Sequence, residues 1–215
     1  MNRRDGFTLI EILVAIAILA TVLTSIYAAY TGTLKIVKDM EYADTIYRMA
    51  RSTMKRITED IASIYRYKDG FVFNSRSSEQ AGPGFTDLSF LSSSHLPLRD
   101  NDGATLGTIR YYVKETEDKN IILFRKDTPF RGGDDEEEEG SESGFIMCDQ
   151  LKSLTFTFYD SKGDEFESWD SSEDGNESKR APSLVAVRIE FMNPRAEDKP
   201  YVFTTKIFIP MTGGA

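Results

Sequence analysis

Glu11 is a carboxylate at the mouth of a long apolar run, in "RRDGFTLIEILVAIAILATVLTSIYAAYTG", residues 3–32. Residues 12–34 carry no charge at all, and as a helix these 23 residues would extend about 34 Å, enough to cross a bilayer core. An ionised carboxylate near the bilayer centre costs roughly 2.5–3.5 kcal/mol on insertion scales, so such an acid normally has a partner. The chemistry that suits it is an ion pair with an amine. A cut between Gly6 and Phe7 would create one: Phe7 would carry a new ammonium, and Glu11 would be the fifth residue of the shortened chain.

A cleaved secretory signal explains the run less well, because its apolar core is normally about 7–15 residues. An uncleaved signal anchor fits the length but leaves Glu11 unexplained. Arg3 and Arg4 precede the run, which places the N-terminus on the cytoplasmic side and the remainder beyond the membrane.

Other reactive side chains are few. The 215 residues include one cysteine and one histidine. Cys148 lies in "GFIMCDQL" and reads as an inert buried thiol. His95 lies in the loop-like "SSSHLPL", where a catalytic role would require partners that the sequence does not display. No G-x-S-x-G elbow, phosphate-binding glycine loop or histidine-rich metal spacing is present. With 26 basic against 35 acidic residues the net charge is −9, which argues against nucleic acid as a partner. Two acidic, Gly/Ser-rich runs, at 132–144 and 170–182, read as solvated loops. Calcium is conceivable there, but neither run has the spacing of an EF-hand loop.

The elements that must carry these residues follow from periodicity. After Lys35, the residues Ile36, Met40, Ala43, Ile46 or Tyr47, Ala50, Met54, Ile57, Ile61 and Ile64 recur at steps of three and four, which predicts an amphipathic helix. Charged residues from Lys38 to Asp60 lie between them. With the apolar run, one helix is expected over 7–65, with Gly32 as a soft spot and Asp69-Gly70 as a stop. Strands are expected at 86–92, 107–115, 120–127, 151–160, 183–192 and 201–210, with "FESW" as a short return. Short turns between them imply a largely antiparallel sheet, and hence an α+β architecture with the helix covering the sheet.

"GFTLIE", residues 6–11, followed by the apolar helix, resembles the signature of type IV prepilins, which type IV pilins share with the pseudopilins of type II secretion. The stretches "YRMARSTMKRITEDI", "GTIRYYV", "ILFRKD", "LTFTFYDSKGDEFESWDS" and "SLVAVRIEF" are most similar to the J-type minor pseudopilin. That resemblance implies a type IV pilin-like fold. It implies a leader at 1–6 removed by a prepilin peptidase, cleavage after Gly6, N-methylation of Phe7, and pairing of Glu11 with a neighbouring subunit's terminus. It further implies a membrane-spanning and filament-core helix at 7–30 and a periplasmic head at 31–215, with amphipathic helix 31–65 and β-sheet 86–210. The implied place is the tip of an inner-membrane pseudopilus, where the subunit helps initiate assembly and protein export. The implied partners are the I-type and K-type minor subunits, the major pseudopilin and the inner-membrane assembly platform, with no cofactor and no catalysis. The alternative is a minor pilin of a type IV pilus, and the third reading is a signal-anchored periplasmic enzyme.

Overall fold

The computed structural model describes residues 8–68, 70–96, 104–132, 144–172, 175, 177 and 179–210. The expected processing residues Gly6 and Phe7, and most of the first acidic run, lie outside the described residues.

One helix, α1, runs from Leu9–Ala62 and passes through Gly32 without interruption. It belongs to two compact units, Met1–Tyr47 and Arg48–Ala215. Over residues 9–34 α1 is mostly apolar and exposed: Leu9, Leu13, Ile16, Leu23 and Ile26 are all more than half exposed. The burial stripe starts at Ile46 and continues through Ala50, Thr53, Ile57, Asp60 and Ile61, at steps of four and three that keep one helical face. Ile36 and Met40, expected on that stripe, are exposed. The helix also stops short of 65. Ser63 and Ile64 already bond three residues back, and the Tyr65 amide donates to Leu91 O. Main-chain pairing with a strand end has replaced the next helical turn.

Among its described residues the second unit holds eleven strands: β1 (Arg66–Tyr67), β2 (Gly70–Phe71), β3 (Phe73–Ser77), β4 (Thr86–Ser92), β5 (Gly107–Glu115), β6 (Ile121–Pro129), β7 (Phe145–Cys148), β8 (Leu151–Tyr159), β9 (Glu165–Phe166), β10 (Leu184–Phe191) and β11 (Tyr201–Phe208). They form a β1-β2 ribbon, a five-stranded sheet in the order β3-β4-β5-β6-β7, and a four-stranded sheet in the order β11-β10-β8-β9. Every strand pairing within these sheets is antiparallel. This is the expected α+β plan of a long helix packed on antiparallel strands.

Two features depart from the expectation. Strands begin at Arg66 rather than at 86. β3, with the polar sequence Phe73-Asn74-Ser75-Arg76-Ser77, is held by β4 on one side and by residues 169–171 on the other. The expected single sheet is also divided in two. Its break falls at Asp149-Gln150, where Gln150 has φ 58° and its amide donates to Asn120 Oδ1 at 2.9 Å. β8 therefore does not pair with β7. The two sheets share an aromatic core instead, with Phe73 stacked on Phe90 at 5.8 Å and meeting Phe158 edge-on at 5.5 Å. Along β8 Leu154, Phe156 and Phe158 are buried, with Leu151 beyond the irregularity at the strand's start, and along β10 Val185, Val187, Ile189 and Phe191 are buried, as period-two alternation requires.

Candidate functional site

The N-terminal site is built on the first turn of α1. Four amides at a helix start lack intrahelical partners, and "Thr8-Leu9-Ile10-Glu11" supplies acceptors for two of them. Thr8 Oγ1 accepts from the Glu11 amide at 3.3 Å. In return Glu11 Oε2 accepts from the Thr8 amide and from Thr8 Oγ1, each at 3.3 Å. This reciprocal pattern is a capping box, and the carboxylate also faces the positive end of the helix dipole. The sequence reading missed this role of Thr8, although the three-residue spacing of Thr and Glu signals it. Glu11 thus has an intrachain use, and it remains exposed.

Beyond this cap, α1 is long and apolar enough to cross a membrane, and among the described residues its apolar segment is not buried. Apolar surface of that extent requires lipid or other chains as its environment.

The second constellation lies inside the head. Asp60 was expected among the charged residues outside the helical stripe, and the structure corrects this: its side chain is fully buried. Asp60 occupies the stripe position seven residues beyond Thr53 and three beyond Ile57. Arg125 on β6 donates to it from Nε at 2.6 Å and from Nη2 at 3.3 Å, and Tyr111 Oη on β5 donates at 2.5 Å. Arg56, one helical turn earlier, approaches Asp60 Oδ1 at 3.0 Å. Arg125 Nη1 also donates to Asp127 Oδ2 at 3.0 Å. Burial opposes the charge on Arg125, but Asp60 and then Asp127 hold the guanidinium above its ordinary range. Burial first, and the Asp60 carboxylate second, push the Tyr111 phenol well above its ordinary value.

This network also takes in His95. Its Nδ1 lies 2.5 Å from Asp127 Oδ1, and the imidazole is 2% exposed. A carboxylate–histidine pair is half of a nucleophile-activating arrangement. The neighbouring hydroxyl, Ser94 Oγ, donates instead to Asp60 Oδ1 at 2.6 Å. The pair is enclosed by Gly107, where a Cβ would stand 2.7 Å from both Asp127 Oδ1 and His95 Nδ1. The group locks the C-terminal turns of α1 to β5 and β6.

Cys148 is buried, as its sequence context suggests, and burial pushes its thiol up to about 12. Of the acidic runs, 133–143 lies outside the described residues. Among the described residues at and beside the second run, the Ser171 amide donates to Phe73 O, the Glu177 amide donates to Asp170 O, and Trp169 Nε1 donates to Arg180 O. Among the described residues no group of three or more His, Cys, Asp or Glu is placed to hold a metal ion.

An α+β head on a helix long enough to cross a membrane defines the class of protein. Residues 1–27 match the model of the prokaryotic N-terminal methylation motif. A type IV-like pilin from Thermus thermophilus is structurally similar, with a TM-score of 0.48 and 9% identity over 77% of this chain and 96% of that one. No curated protein matches the chain.

Proposed function

We propose that this chain is a prepilin-like filament subunit, a minor pseudopilin at the tip of a type II secretion pseudopilus. The observation that carries the prepilin reading is the methylation-motif match over residues 1–27, on a helix whose N-terminal apolar segment is not buried among the described residues. In this reading a prepilin peptidase cuts after Gly6 and Phe7 becomes the methylated terminus. Residues 7–30 first anchor the subunit in the inner membrane and then join the filament core. The head, from residue 31 onward, stands in the periplasm. The finer assignment to the J-type rests on the sequence stretches quoted above, and the I-type and K-type minor subunits, the major pseudopilin and the assembly platform are its partners.

Glu11 then has two successive uses. In the single subunit its carboxylate caps α1 through Thr8. In the filament it offsets a neighbour's Phe7 ammonium within an apolar bundle. A buried charge without its partner is strongly unfavourable, so this pair would set the register between subunits. The role is structural rather than catalytic, and it needs neither cofactor nor calcium.

Mass spectrometry of protein from cells that contain the peptidase tests the reading. A chain beginning at N-methyl-Phe7 is expected; an intact Met1 terminus would overturn it. Co-purification of the head with the I-type and K-type subunits tests the finer assignment.

A further inference from the structure

Among the described residues no strand pairs with the outer edge of β11, and the residues of that edge are self-complementary. β11 ends the four-stranded sheet, and its described strand partner is β10. The Ile209 amide donates to Ser183 O at 3.0 Å, and Ile209 and Ser183 continue the β10–β11 register. In an antiparallel ladder hydrogen-bonded pairs alternate, so residues 201, 203, 205, 207 and 209 bond towards β10. Val202, Thr204, Lys206 and Phe208 therefore turn their amides and carbonyls outward. Their side chains share the exposed face, where Val202 is 42% and Phe208 66% exposed. Pro200 and Pro210 stand at the two ends with the same outward parity, and neither can donate.

We infer that β11 pairs antiparallel with β11 of a second copy of this chain about a two-fold axis. Val202 then faces Phe208 of the partner subunit, and Thr204 faces Lys206 of the partner subunit. Every outward amide and carbonyl between the two prolines finds a partner, proline meets proline, and each apolar side chain meets an apolar one. The neighbouring registers are worse. A slip one way opposes Lys206 to Lys206 of the partner subunit and sets Val202 against Pro210 of the partner subunit. A slip the other way sets Phe208 against Pro200 of the partner subunit. Both leave a carbonyl unpaired, because proline has no N–H to offer. The charge and proline pattern thus selects one register, and an exposed edge of this kind is a template for strand pairing.

The test uses the full chain in detergent. Chains carrying Val202→Cys are mixed with chains carrying Phe208→Cys and oxidised. Residues directly opposite in a hydrogen-bonded pair have Cα atoms about 5.5 Å apart, within disulfide reach, and native Cys148 is buried. A covalent dimer is expected in the mixture and its loss is expected in either variant alone. Thr204→Pro removes one outward amide and leaves the β10 ladder intact; added to both chains, it should abolish the cross-link while far-UV circular dichroism is unchanged. No dimer in the mixture, equal dimer in the single-variant samples, or cross-linking that survives Thr204→Pro in folded protein would overturn the inference.

Discussion

Arg125 grips both carboxylate oxygens of Asp60, from Nε at 2.6 Å and Nη2 at 3.3 Å, with the two side chains 3% and 0% exposed. One residue comes from the end of α1 and the other from the middle of β6, so a single ion pair joins the helix to the sheet. Its value lies in the cost of breaking it, since an unpartnered buried charge is strongly unfavourable.

Asp60→Ala should therefore destabilise the head by about 3 kcal/mol. Asp127 remains to hold part of the Arg125 charge. Replacing both Asp60 and Arg125 by apolar residues of similar volume should cost much less than the two single changes summed. Urea midpoints for the double-mutant cycle measure the coupling.

Gly107→Ala should disturb the same network from the other side. Its methyl would press on Asp127 Oδ1 and His95 Nδ1 at 2.7 Å, so the His95–Asp127 contact must open. A loss of about 1–3 kcal/mol is expected, and the His95 imidazole resonances should shift in NMR spectra.

One substitution at Glu11 and one at Thr8 separate the cap from the charge. Gln can complete a capping box, whereas Ala cannot. Glu11→Gln should keep the first turn of α1 and still fail to enter filaments if the carboxylate is what a neighbour's amine requires. Thr8→Ala should weaken the cap by about 1 kcal/mol without removing the charge. Amide exchange at the first turn and incorporation of each variant into filaments are the readouts.

Asp87 predicts the direction of a pH effect. Burial raises its carboxyl above the ordinary value against the pull of Ser78, Arg110 and Arg76, so the folded state binds a proton that the unfolded state releases. The resulting penalty is absent below the unfolded value of 3.8 and grows as pH rises through the folded one. Asp87→Asn should accordingly gain stability relative to the parent as pH increases from about 4 to 7. Urea midpoints at the two pH values check the sign.

Cys148 offers a probe of opening. With its thiol raised to about 12 from 9.0, its thiolate fraction at pH 8 is roughly a thousandfold below that of a free thiol. Ellman's reagent should react only as the head unfolds, and the rate should rise in the Asp60→Ala variant.

Much of the architecture was legible because it is local. The alternation of Leu154–Tyr159 and Leu184–Phe191 names strands and their buried faces without reference to neighbours. The uncharged run before Lys35 declares an apolar helix by length alone. Elements whose reason lies elsewhere were not legible. β3 is nearly all polar and exists because β4 and residues 169–171 supply its partners. Asp60 looks like a solvated acid until Arg125 and Tyr111, 65 and 51 residues away in the chain, converge on it.

The sequence by itself determined the apolar N-terminal helix and the hydrophobic alternation of the main strands, because each depends on local pattern alone. Only the tertiary structure decided that the strands divide into two sheets, that Asp60 is internal and that β11 is left as an edge. These depend on which distant segments supply a missing hydrogen bond or countercharge, and a buried polar group has no stable place until that partner arrives.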